Sequence, residues 1–597
     1  MRHPLTRREF LGGATLSLGI GSTVLTTPDV PKVRKRFRDL SSDTWVATDA
    51  LGRELPTSTE APSPRKNRFV GIFYFVWHGA HGTPGPYDNT KLIAADPSHP
   101  DYGPEGAFHW WGEPAVGYFL ANDPWVIRHN IAMLQAAGVD VLLLDVTNAF
   151  TYPDEVHALC QVAMRMRAQG NATPQIAYVT HAAGAETVTS LYNNFYSKNL
   201  YPDLWFYWEG KPLILGDINA KLPNDSPIGP RIRDYFTWRY SWAWDPGKDK
   251  WQWIDSYPQH YGWHTSPNVA EEVPVAIASH PVNDIGRSFH NGDEPPLNRD
   301  FIAADVKSGP YFNEQWEQAL KLDPDFLFIT GWNEWVAQRF IVKPGQTMNF
   351  IGRALKPGDT FFVDNYNQEF SRDAMPMKGG YGDTYYLQMV SGIRRFKGVR
   401  PIPIAHGFHT MSPANQFAAW QKIMPEYRDD IGDVIHRDWK GWGDFHYTDD
   451  SGRNDIALAK VACDQHNLFF YVRTAQPLSP YSDPNWMLLL INSNLNTNSG
   501  WNGYDYVVNQ RVAGTATTTV KNLSNGNEWE VRYRAAGNQM VLEVPRAILK
   551  LENPRRTMFD FHWVDNCPIG GDINDFWYIG DSAPAGRFNY RFIHEAL

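Results

Sequence analysis

The stretch FLFITGWNEW, Phe326 to Trp335, runs as an apolar, β-branched segment to Gly331 and then sets Asn333 and Glu334 between Trp332 and Trp335. A carboxyl group among indoles suits a general acid, because exclusion of water favours the neutral form and raises its pKa toward the range proton donation requires. Cleavage of a glycosidic bond takes two carboxyl groups, one to protonate the leaving oxygen and one to attack or stabilise the anomeric carbon. Asp145 closes a second strongly apolar run, VDVLLLDV, so Glu334 and Asp145 are the catalytic candidates, with Asp217 the open alternative for the second carboxyl. Asn333 is placed to donate to a sugar hydroxyl.

Such residues need a scaffold that gathers strand ends. From Arg68 onward, short apolar runs alternate with longer amphipathic segments, as in repeated β-α units. Eight runs read as strands: RFVGIFYFVW, VDVLLLDV, QIAYVTH, PLILGD, FTWRYSW, PVAIASH, FLFITGW and TFFVDNY. This predicts an α/β fold, a (β/α)8 TIM-type barrel, whose active site lies at the C-terminal ends of the strands. Those ends carry Trp77 and His78, Asp145 and Asn148, His181, Asp217, Trp242 and Trp244, His280, Asn333 and Glu334, and Asp364. A strand-end Asp also serves simply to cap the next helix. The long connection after the first strand holds YDNTK and HWWGEP. There Trp110 and Trp111 offer a stacking platform for a sugar ring and Glu113 a third carboxylate, or else they pack the loop onto the barrel. The expected substrate-binding set is therefore Trp77, His78, Trp111, Glu113, Asn148, His181, Asp217, Trp242, His280, Asn333 and Trp335.

Metal chemistry is the rival use of His78, His81, His181, His280 and Asp145, but no HExxH or other tight ligand spacing occurs, so no metal and no cofactor is expected. Cys160, Cys463 and Cys567 lie too far apart in sequence for a disulfide scaffold or thiolate site. A net charge of −10 without a basic stripe argues against nucleic acid as partner. Aromatic residues, with 24 Trp among them, make up 14% of the chain, which suits sugar stacking or a bulky core equally.

The organisation expected along the chain has four parts. Residues 1–30 contain TRREFLGG and a weakly apolar Gly-rich stretch, the pattern of a twin-arginine export signal, which implies a periplasmic or extracellular location. Residues 31–67, rich in Pro, Ser, Thr and charge, read as a linker, and 68–397 as the barrel. Residues 398–597 show period-two alternation broken by Gly, Asn and Asp turns, an antiparallel β-sandwich.

The residues GIFYFVWHG, AGVDVLLLDVTN, GWNEW and FVDNYNQEFSRDAMPMKGGYGDTYYLQMVSGIRRFKG resemble the barrels of glycoside hydrolase families 71 and 99 and their relatives in O-antigen gene clusters, over roughly 68–397. The resemblance implies a motif Asn-Glu-Trp-x-Glu, whose first glutamate matches Glu334 and assists the sugar 2-hydroxyl; the second falls on Ala337. Either another carboxyl, such as Asp145, Asp217 or Glu113, then takes the acid role, or the reaction follows a different course. The C-terminal part is similar to family 9 carbohydrate-binding modules, which implies glycan contact through Trp486 or Trp501, or a core role for them; the loop that is Asp-rich and holds calcium in relatives is Asn-rich here, Asn492 to Asn498. The expected function is an exported glycoside hydrolase acting on a poly- or oligosaccharide. The alternatives are a noncatalytic glycan-binding protein on a degenerate barrel and a metal-dependent hydrolase.

Overall fold

The computed structural model describes residues 37–244, 249–279, 285, 307–415 and 417–596. His280 and the twin-arginine segment lie outside them.

Seven of the eight expected strands lie parallel in one sheet: β1 (Phe69–Tyr74), β2 (Val141–Val146), β3 (Gln175–Thr180), β4 (Lys211–Leu215), β5 (Thr237–Arg239), β6 (Glu272–Ala276) and β7 (Phe326–Trp332). Their order is β5-β4-β3-β2-β1-β7-β6, so the first strand pairs with the last, in the strand order of a TIM-type barrel, and among the described residues the path stays open between β5 and β6. Helices α1 (Pro124–Ala137), α2 (Pro153–Ala168), α3 (Gly184–Leu191), α4 (Pro230–Tyr235), α5 (Pro310–Leu322) and α6 (Thr384–Lys397) cross between strands or follow the last. The strands β2 and β7 are buried along their whole length, which is why they read as unbroken apolar runs.

The barrel does not close by an eighth strand. Among the described residues β5 and β6 share no ladder, and the seam between them takes in the WQWI segment. Trp251 N–H donates to Tyr240 O, Gln252 N–H to the Glu272 carboxylate, and Thr330 Oγ1 to Trp253 O. The fully buried Trp251 ring lies 4.7 Å from that of Phe326, so indole packing fills part of the gap that a ladder would span. The expected eighth strand, TFFVDNY, instead supplies β9 (Thr360–Phe362), antiparallel to β8 (Val336–Ile341) in a small sheet that also takes in Phe108–Trp110. Its apolar run marks a strand, but strand direction depends on the partner, and that partner begins two residues after Glu334.

The C-terminal third contains, among the described residues, one continuous twelve-stranded sheet rather than two separate ones, antiparallel except where Ile404–His406 pairs with Tyr590–Glu595. It folds over on itself: Phe470 packs on Phe559 and Phe561, and Tyr427 on Phe561. Alternation gives each strand a buried face but does not say whether the ladder breaks at a corner. The hairpin of Arg437–Lys440 and His446–Asp449 reaches the barrel loops. There Arg437 pairs with Asp123 at 2.9 Å, both buried, and Trp442 Nε1 donates to Pro84 O. The described part of the expected linker is packed as well: Trp45 is buried against Phe588 and Tyr590, and Val46 bridges to Asn589.

Candidate active site

At the end of β7 the backbone turns at Asn333, which adopts φ 61°, a left-handed conformation that Asn tolerates better than most residues. Its side chain then continues the β1 pairing: Oδ1 accepts from Phe75 N–H and Nδ2 donates to Phe75 O, each at 2.9 Å. Asn333 is 1% exposed and both ends of its amide are used internally, whereas the sequence reading gave it to a sugar hydroxyl.

This turn presents Glu334, whose side chain is partly exposed while its peptide is fixed on both sides. Its N–H donates to Asp373 Oδ2 at 2.8 Å, and its carbonyl accepts from Trp111 Nε1 at 2.8 Å. Trp111 stacks on Trp335 at 4.3 Å and 14°, and Trp335 Nε1 reaches the Met375 sulfur. Trp110, Trp111, Trp332 and Trp335 are all essentially buried. Trp111 and Trp335 thus support the Glu334 peptide, the loop-packing alternative for HWW, while the Trp110 ring packs on Tyr118, Phe119 and Trp442 and the Trp332 ring on Tyr386.

Asp145 ends β2, on the far side of β1 from β7, and is 2% exposed; its Oδ1 accepts from Thr147 N–H at 2.9 Å. Two strand spacings put the ends of β2 and β7 about 10 Å apart. Beyond β2, Asn148 Nδ2 donates to Tyr152 Oη, which also meets His81 Nε2. At the end of β3 an exposed His181 lies flat on Trp242, at 3.4 Å and 3°. Trp244 beside it is 39% exposed. Asp217 is exposed and accepts from Asn219 N–H, a local turn contact.

Three other expected ligands are buried or held by ion pairs. His78 is 2% exposed among Trp77, Trp110 and Phe119, and burial pushes its pKa down to about 3, so it is neutral; among the described residues neither ring nitrogen has a hydrogen-bond partner. Trp77 is buried edge-on to Phe108. For Glu113, burial would raise the pKa, but Lys91 and Lys378 bond to it and hold it below the usual range. A carboxylate kept ionised by two lysines is unsuited to donate a proton. Among the described residues no group of three or more His, Cys, Asp or Glu side chains is arranged to hold a metal ion. Trp486 is buried too, and Trp501 packs on Phe576.

Sequence reasoning missed Asp373, which is fully buried and accepts from the N–H groups of Asn333, Glu334 and Met375. Burial raises its pKa to about 7 against the pull of those three donors. Its one sequence signal was a charged RD pair in the otherwise apolar and polar stretch FSRDAMPM. Ala337 is also informative: it is 4% exposed in an apolar cluster with Val342, Phe361, Phe362 and Tyr366, so a glutamate there would be desolvated rather than presented to a sugar.

No protein-family model matches the chain, and no curated protein matches it. Among solved structures it is similar to the GH99 endo-alpha-mannosidase from Bacteroides thetaiotaomicron, at 14% identity over 55% of this chain. One structure, in complex with BIS-TRIS-propane, matches over 97% of its own length with a TM-score of 0.27. A second matches over 98% of its length with a TM-score of 0.30.

Proposed function

We propose that the chain is a glycoside hydrolase whose reacting carboxyl groups are Glu334 and Asp145, acting on a poly- or oligosaccharide. The observation that carries this reading is the treatment of Glu334: buried groups immobilise its peptide on both sides while its carboxyl stays partly exposed at the open end of the strands. Fixing a carboxyl by its backbone is what a positioned general acid, base or nucleophile needs. Asp145, one strand beyond β1, is the proposed partner although it is as buried as His78, so substrate must uncover it, and the exposed Trp244 beside the partly exposed Trp242 gives sugar rings a surface to lie on. The N-terminal arginine pair supports export by the twin-arginine route.

The test is a glycan-release screen against plant, fungal and bacterial polysaccharides with Glu334→Gln and Asp145→Asn alongside. Release that both variants abolish supports the assignment; release that neither affects overturns it. The apolar setting of Ala337 favours one second reading, a glycan-binding protein without turnover, which glycan retained but never cleaved would support.

A further inference from the structure

We infer that Asp373 is the positioning residue that holds Glu334 in register at the end of β7. This rests on the reading of Glu334 as a reacting carboxyl. The geometry is that of a clamp. Oδ1 accepts from Asn333 N–H at 2.8 Å and from Met375 N–H at 2.7 Å, while Oδ2 accepts from Glu334 N–H at 2.8 Å. One side chain, on a separate loop 39 residues downstream, thus gathers the two peptides at which the chain leaves β7. With both oxygens taken and the side chain fully buried, Asp373 is not placed to exchange a proton with substrate, which separates it from the catalytic pair.

The clamp is closed by neighbours that cannot replace it. Asp373 N–H donates to Tyr381 Oη, and Tyr381 Oη also bonds to Met375 O. The Arg372 guanidinium turns back to the carbonyls of Gln368 and Ser371. Trp111 holds the next peptide, at the Glu334 carbonyl. The titratable and charged side chains beside the clamp are Tyr381, whose hydroxyl meets the Asp373 N–H, Arg372, whose guanidinium is turned to backbone carbonyls, and Glu334, whose N–H is held; burial and the three N–H donors alone set the Asp373 carboxyl. Three N–H donors favour the carboxylate form, and protonation takes an acceptor site away from one of them. The clamp is tightest when Asp373 is ionised and slackens when it gains a proton. Because burial sets that change near neutrality, the device links the placement of Glu334 to pH.

The experiment compares Asp373→Asn with the wild type on the glycan that the screen identifies. A carboxamide keeps the shape but turns an N–H donor toward the Glu334 peptide. Expected are a loss of about 10²-fold in kcat with KM little changed, and disappearance of any kcat limb near pH 7. A kcat within two-fold of wild type, or an unchanged limb, overturns the proposal. Amide exchange of the 331–337 segment in the wild type, read by mass spectrometry from pH 5.5 to 8.5 and corrected for intrinsic rates, decides the matter if the variant does not fold. Protection that falls toward acid supports the clamp, and protection constant with pH refutes it. The exchange arm needs no turnover, so it separates failure of the clamp from failure of the hydrolase reading.

Discussion

Two regions of the molecule bury carboxyl groups and treat them in opposite ways. At the rim, Asp373 stands alone, and both its oxygens accept N–H donors from the chain it orders. At the junction of barrel and sheet, Asp429, Asp430, Asp433, Asp455 and Asp581 crowd together, and Asp429 Oδ2, Asp430 Oδ1, Asp433 Oδ1 and Asp455 Oδ1 have no partner among the described residues. Asp373 and Asp430 both reach a pKa of about 7. At the rim the cause is burial alone, opposed by peptide dipoles; at the junction it is burial reinforced by the charge of Asp433 and opposed by Arg128 and Arg38. The comparison separates a carboxyl used to fix geometry from a group of carboxyls that stays folded by sharing protons.

The largest effect should come at the rim. Glu334→Gln removes the carboxyl whose peptide everything else holds, and turnover should fall by about 10²–10⁴-fold with an unchanged melting temperature. A large fall in melting temperature instead would make Glu334 a structural residue like those at the junction.

A second prediction concerns the bridge that joins the regions. Burial outweighs the pull of Arg437 and leaves Asp123 above its usual pKa, so this pair exists at a desolvation cost. Arg437→Ala strands the carboxyl and should cost about 3–5 kcal/mol, measured by urea unfolding. Asp123→Asn with Arg437→Met removes both charges and should recover much of that loss. No recovery would mean that the packing of Arg437 over Tyr447 and Trp125, not its charge, holds the hairpin.

The junction should announce itself in the pH dependence of stability. Asp430 and Asp455 are raised from 3.8 to about 7, so between those values the folded state holds protons that the unfolded chain has released. Stability is then full below about pH 4 as far as these groups are concerned, and it is lost as pH rises through 7. The melting temperature should drop on the order of 5 °C between pH 5 and pH 8, and Asp430→Asn should flatten that slope. Asp373 contributes to the same slope, yet its clamp works best ionised. Activity and stability are thus expected to move in opposite directions across neutrality, and a parallel rise of both with pH would break the comparison.

What could be read in advance follows from the same contrast. Strands buried on both faces, such as β2 and β7, announce themselves because no polar residue interrupts them, and strand ends are legible once strands are. Glu334 and Asp145 were chosen as candidates that way. Contacts that join distant segments leave no periodic trace: Asp373 lies in an irregular loop, and WQWI reads as neither helix nor strand although it occupies a seam of the barrel. Residue type misled in the other direction. Trp111, Trp335, His78 and Asn333 have the chemistry of a sugar site but are used as backbone supports or core, because a Trp or Asn beside an irregular turn serves equally well to satisfy buried peptide groups.

His78 gives the smallest expected effect and the finest test of that distinction. It sits at the end of β1, where a barrel enzyme places substrate ligands, yet among the described residues both ring nitrogens are buried without a hydrogen-bond partner and burial holds the ring neutral. A buried polar group without partners is a net cost, and replacing it by an apolar group of similar shape is close to neutral or stabilising. His78→Leu should therefore change stability by no more than about 1 kcal/mol, with a gain as plausible physically as a loss. It should leave kcat and KM within two-fold. A rise in KM alone would instead return His78 to the sugar-binding set. It would then follow that the end of β1 opens when substrate binds, and that the aromatic box around the imidazole belongs to the unliganded enzyme only.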